Sequence, residues 1–332
     1  MVGGYDKSYQ LLRNPKKQII NPPIKLPINI SNLQSYSIYL CHSVLINSGG
    51  IINGSGNNID GRISSCLTNL KRIYLQEFSI DDSKGNVYIP ISAVCCSWST
   101  LYMCSTVIDD KKHLVFCDTD IYHGKPIFLD IGNQEPVALY GGSIYSAAIN
   151  SKGKIIFINR NSIRINKKEK LNPISLPNDE KASSISCLEN WIFVLSESGR
   201  LYFSSIDKTS SFLKFSVVKE LEKEEIICVS GTSFHCFAVN KEGQVFGYGS
   251  NKCGQLSLPK KQASVQSFVK ISLLQDYKIK AAYAGYNHSL FVTDDGKVIS
   301  CGSDLYGELL LSNVSNKNVY TPTETMITSG AT

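Results

Sequence analysis

Apolar runs of strand length recur along the chain, each followed by a short polar turn and a second apolar stretch. "SVLI", "SAAI", "IFVL", "CFAV" and "SLFV" are five such runs, and the turns after them end at Gly50, Gly153, Gly199, Gly243 and Gly296. A weaker copy, "DDKK", ends at Lys112, so six copies stand 62, 41, 46, 44 and 53 residues apart. Four residues before the turn end lie Ile46, Ile108, Ile149, Leu195, Val239 and Val292; two after it lie Ile52, Leu114, Ile155, Leu201, Val245 and Val298. Unbroken apolar runs of this length predict strands covered on both faces, as when sheets stack against one another. A polar turn closed by glycine predicts a hairpin, because glycine accepts a positive φ without steric cost. The spacing is that of one propeller blade or a similar unit.

Eight residues before the turn end stand His42, Cys104, Tyr145, Trp191, His235 and His288. Three of the five histidines share this column, so a histidine here is expected to be a packed ring with one satisfied N–H rather than a base or metal ligand. Downstream, "GNNIDGRI", "GSNKCGQL" and "GSDLYGEL" share G-x-[ND]-x-x-G-x-[LI]. Asn58, Asn251 and Asp304 supply a turn-forming side chain, and Gly61, Gly254 and Gly307 free the backbone where the chain leaves the strand. None of these glycine strings carries the Lys-Ser/Thr of a phosphate loop or opens a helical pattern. They read as turns.

The length of 332 residues exceeds what one ordinary core reaches, which suits a modular array. A hydrophobic content of 42% with 19% charged residues is that of a folded protein, and a net charge of +6 does not by itself imply nucleic acid. Eleven cysteines without a C-x-x-C pair predict reduced thiols in a cytoplasmic or nuclear protein. The N-terminus has no apolar core of a secretory signal, and no run reaches the length of a membrane span. G-x-S-x-G, H-E-x-x-H, Walker A and G-x-G-x-x-G are all missing from the sequence. The expectation is therefore of no catalytic residue, no cofactor and no metal.

"SGTSFHCFAVNKEGQVFGYGSNKCGQL" and "AGYNHSLFVTDDGKVISCGSDLYGEL" resemble the repeat of the regulator of chromosome condensation family. The likeness is strong around Gly243 and Gly296, good around Gly50 and weak in the middle three copies. It implies an all-β fold, a seven-bladed β-propeller spanning 1–332. Six copies would occupy 37–320. A split closing blade would take its N-terminal part from 1–30 and its first strand from 321–332, where Gly330 matches Gly285. No counterpart of "HSLFVTDDGKV" exists for that blade, so it is expected to be short of strands.

The resemblance implies a non-enzymatic propeller that binds another protein through one end face, as an adaptor or regulator. The alternatives are guanine-nucleotide exchange on a Ran-type small GTPase, the founding activity of the family, and binding to chromatin. Trp98, Phe234 and Tyr286 fall in or beside the blade-opening loops and are candidate partner contacts, with inter-blade packing as the competing role. "RNSIRINKKEK" offers Arg160, Arg164, Lys167 and Lys168 to phosphates or to an acidic surface, against a solvated loop as the plainer reading.

Overall fold

A computed structural model describes residues 2–5, 19–24, 33–39, 42–57, 72–78, 80–82, 84–96, 99–106, 111–118, 126–165, 170–207, 212–305, 307–311 and 317–328. The described strands form seven antiparallel sheets in chain order. The first has two strands, Val2–Tyr5 and Ile19–Ile24. The other six are blades, numbered here from the N-terminus. Blade 1 holds Leu33–Tyr39, His42–Asn47, Ile52–Asn57 and Arg72–Phe78. Blade 2 has five strands from Ile80 to Phe128, and blade 3 has three from Pro136 to Asn159. Blade 4 runs from Ala182 to Val217, blade 5 from Ile226 to Lys270 and blade 6 from Ile279 to Thr328, each with four strands.

Every core lies between two successive blades. Val44, Ile46 and Ile52 of blade 1 pack on Ala93 and Tyr102 of blade 2, and the pattern repeats through blades 2–3, 3–4, 4–5 and 5–6. This stacking explains the unbroken apolar runs. All six residues of Tyr145–Asn150 and of His235–Asn240 are buried, because the second strand of a blade is covered on both faces. In each blade the strand before the buried central one carries a bulge, as at Ile226/Cys228, Ile279/Ala281, Ala182/Ser184, Pro136/Ala138, Leu33/Ser35 and Pro90/Ser92. An extra residue there steepens the local twist.

The turn glycines behave as expected. Gly50, Gly153, Gly199, Gly243 and Gly296 all have φ between 71° and 82°. His42, Tyr145, Trp191, His235 and His288 each begin the second strand of their blade. Gly61 lies outside the described residues, whereas Gly254 and Gly307 have φ of 84° and 82°.

Two expectations are corrected. In blade 2, Leu114 faces Met103 rather than Ile108, and Thr100 pairs with Cys95 as Cys236 pairs with Gly231. The ring column therefore falls on Ser99, not Cys104, because this hairpin is longer than the others. At the other end, Asn318–Thr328 is the outer strand of blade 6, pairing with Lys297–Ser303. The stretch 321–328 is thus not the first strand of a closing blade, since it pairs along blade 6, through two register shifts, as far as Lys297↔Thr328. Residues 329–332 lie outside the described residues.

Candidate protein-interaction face

The site is built on the loops joining the first and second strands of blades 4, 5 and 6. Phe234 sits in the two-residue loop between Ile226–Thr232 and His235–Asn240. Tyr286 sits in the corresponding loop between Ile279–Ala284 and His288–Thr293. The two rings meet edge to face, with centroids 5.4 Å apart and planes at 68°. Both remain exposed, at 39% and 40%. A ring pair that keeps this much accessible area is available to a second surface.

The loops are held by hydrogen bonds to their neighbours. The Phe234 carbonyl accepts from Ser250 N–H at 2.8 Å, and the Asn287 carbonyl accepts from Ser303 N–H at 2.8 Å. Ser233, at φ 38°, accepts from Glu189 N–H at 2.9 Å and thereby ties the blade 5 loop to blade 4. Behind the loops, Asn251 is fully buried; its Nδ2 donates to the Leu258 and Gln262 carbonyls at 3.0 and 2.9 Å, and its Oδ1 accepts from Leu256 N–H at 3.1 Å. Asp304 plays the same part in blade 6, accepting from Leu309 N–H at 3.1 Å.

The Phe234–Tyr286 pair forms one wall of a cleft of about 510 Å³. Trp191 and Tyr248 line the cleft beside the pair, and Glu189 and Lys252 supply one charge of each sign. Burial pushes the Cys253 thiol in this cleft upward, helped by the Glu308 carboxylate, so it stays protonated at neutral pH.

His235 is beneath the loop and fully buried. Its Nε2 lies 2.9 Å from Ser289 Oγ, whose own proton goes to the Gln255 carbonyl at 2.8 Å. The serine lone pair must therefore accept the Nε2–H, which fixes the tautomer and leaves Nδ1 unpartnered. A serine whose proton is directed at a carbonyl is not being activated by the histidine, so the pair is a packing device. Burial, with the neighbouring His288, pushes His235 down to about 3; burial alone brings His288 to about 4 against the opposing pull of Asp304.

The other candidate contacts separate. Trp98, Lys167 and Lys168 lie outside the described residues, as does the side chain of Arg164. Arg160–Ile165 is a short helix, not a loop. Arg160 is 7% exposed, and its Nη2 donates to Asp118 Oδ1 at 2.9 Å, with a second bond from Nε to Oδ2. That pair crosses from blade 3 to blade 2. Arg160 is thus withdrawn from the surface, because the buried Asp118 carboxylate requires a counter-charge. Tyr248 was not singled out in the sequence; the signal lay in its place two residues after Phe246, directly before the Gly249–Gly254 turn.

Known proteins share both sequence and fold with this chain. The model of the "Regulator of chromosome condensation (RCC1) repeat" matches residues 226–255 and 279–308, and a second model of that description matches 242–292. The secretion-regulating guanine nucleotide exchange factor of Bos taurus is 32% identical over 94 residues, 28% of this chain and 20% of that protein. The ultraviolet-B receptor UVR8 of Arabidopsis thaliana is 31% identical over 138 residues, 42% of this chain and 30% of the receptor. The aligned stretches thus span less than a third of either relative. Among solved structures, yeast RCC1 (Prp20), determined with Kap60 bound, superposes with a TM-score of 0.75 at 14% identity, covering 99% of this chain and 83% of its own. Human WBSCR16 gives 0.72 at 12% identity, covering 94% and 87%. Residues 226–308 thus carry the RCC1 repeat signature, and the fold of the chain is that of the RCC1 propellers.

Proposed function

We propose that this propeller is a protein-interaction module, an adaptor or regulator, that docks its partner on the blade 4–6 end face. The observation that carries the reading is the exposed Phe234–Tyr286 pair, fixed from behind by the Ser250 and Ser303 hydrogen bonds. Exposed rings over a rigid backbone are the type of anchor that dominates protein interfaces. Phe234→Ala with Tyr286→Ala should remove partners recovered with the intact chain while the thermal midpoint moves little, as both side chains are already part-exposed. An unchanged set of partners from the folded double variant would refute this choice of face.

Guanine-nucleotide exchange on a small GTPase is the second reading, supported by the bovine secretion-regulating exchange factor and by yeast Prp20p, described with its binding to Gsp1p and histones. Exchange needs no covalent chemistry from the propeller. Release of a fluorescent GDP analogue from a GTPase panel separates the two: acceleration in the presence of this chain establishes exchange, and no acceleration leaves the docking role. A chromatin-binding role has less support, because Arg160, the first cation of the basic stretch, is spent on Asp118.

A further inference from the structure

The junction between blades 4 and 5 is rich in aromatic rings. Trp191, Phe193 and Phe203 come from blade 4, and Tyr248 and Phe268 from blade 5. Phe193 lies 5.2 Å from Tyr248 and 5.3 Å from Phe268 between centroids, both edge to face, and Trp191 lies 5.8 Å from Phe203. The rings do not fill the junction; a slot of about 270 Å³ remains. Glu220, exposed on the turn Lys219–Leu221, is the one charged residue lining it among the described residues.

We propose that this slot receives a methylated ammonium group on a side chain of a protein partner. Aromatic faces carry negative quadrupole potential and attract a cation, most strongly where water is excluded. The Glu220 carboxylate at the mouth adds attraction of the same sign, moderated by its exposure. The ring faces themselves accept no conventional hydrogen bond, so a primary ammonium or guanidinium would have to turn its N–H donors to Glu220, Gln266 or Ser267 rather than sit against the rings. A trimethylated nitrogen has no donor to lose and presents methyl groups to the rings. The slot shares Trp191, Tyr248 and Gln266 with the end-face cleft, so a chain lying in the cleft can lower a side chain into it. The protein source of the cation rests on the docking-face reading above, whereas the slot's chemistry does not.

The chain has two tryptophans, Trp98 and Trp191, so Trp98→Phe leaves Trp191 as the only indole. Its emission reports binding without any partner being known. The probes are N-acetyl-trimethyllysine methylamide, the unmethylated amide and a neutral analogue with carbon in place of the quaternary nitrogen. The trimethylated probe should saturate at a concentration roughly fivefold or more below the neutral analogue, the ratio expected for about 1 kcal/mol of cation–π attraction, and below the unmethylated amide, whose ammonium must shed more hydration to meet the rings. Glu220→Gln, a surface change that leaves the circular dichroism intact, should weaken that probe and not the neutral one. Equal binding of the neutral analogue, no response to any probe, or indifference to Glu220→Gln would overturn the proposal. Because no partner enters this titration, the slot can stand if Phe234 and Tyr286 prove dispensable, and can fall while the docking face survives.

Discussion

Gly249 shows how one missing side chain shapes the interaction face. Its φ of 97° lies in the region that favours glycine, and a Cβ there would sit 2.2 Å from the Phe234 carbonyl oxygen. The same relation holds at Gly302, φ 109°, where a Cβ would lie 2.5 Å from the Asn287 carbonyl oxygen. In each blade the strand passes close beneath the loop so that the next residue's N–H can reach that carbonyl. Gly249→Ala must move the loop or the strand, and it strains φ as well. The expected cost is about 2 kcal/mol or more, read as a lower urea midpoint at unchanged slope. The same variant should also alter the Trp191 emission, because the displaced loop borders the cleft.

At the scale of the hairpin, the stabilising side chain is the residue three before the turn glycine. Asn240 Oδ1 accepts from Gln244 N–H at 2.8 Å, and Asn150 Oδ1 accepts from Lys154 N–H at 2.8 Å. Asn47, Thr293 and Ser196 make the same bond with Ile51, Lys297 and Arg200 N–H at 2.9, 2.9 and 3.2 Å. Asn240→Ala loses this bond and the Nδ2 donation to Glu224 at 2.6 Å, so it should destabilise by about 1–2 kcal/mol. Asn240→Ser, the choice blade 4 makes, should cost less, and thermal unfolding of the two variants ranks them. Hairpins like these were legible in the sequence because glycine, polar turn and apolar run fall at fixed offsets. Blade 2 was not, since the turn after "STLYMCST" has no glycine to mark its phase. Eight residues separate the paired Cys104 and His113 there, against three between Asn240 and Gln244. A further turn, Asp82–Asn86 with Gly85 at φ 82°, went unread although "DSKG" repeats the "NSKG" before Lys154. The cleft was half legible: loop position marked Phe234 and Tyr286, but only packing between blades brings Trp191 and Tyr248 beside them.

Across the whole molecule, both faces of each central blade are spent on neighbouring blades, so a charge introduced in the second-strand layer has no water to meet. His235 and His288 occupy equivalent places in adjacent blades and are held neutral, at about 3 and about 4 against an unfolded value near 6.5. Above pH 6.5 neither the folded nor the unfolded chain binds these protons, and the histidines leave stability unchanged. Below it the unfolded chain takes them up first, so stability falls with pH until the folded values are reached. The upper part of this window, from pH 6.5 to about 5, lies above the usual carboxylate range, which separates it from the loss of depressed carboxylates such as Asp295 at lower pH. The two histidines together should remove on the order of a few kcal/mol across this window. Chemical unfolding at half-unit pH steps should show the decline beginning near 6.5. His235→Gln should be less stable at pH 7.5, having lost a fitted ring against Phe237 and Ser289, yet should show a shallower decline because one titrating group is gone. A profile as steep as that of the intact chain would mean that His235 is not held neutral in the folded blade.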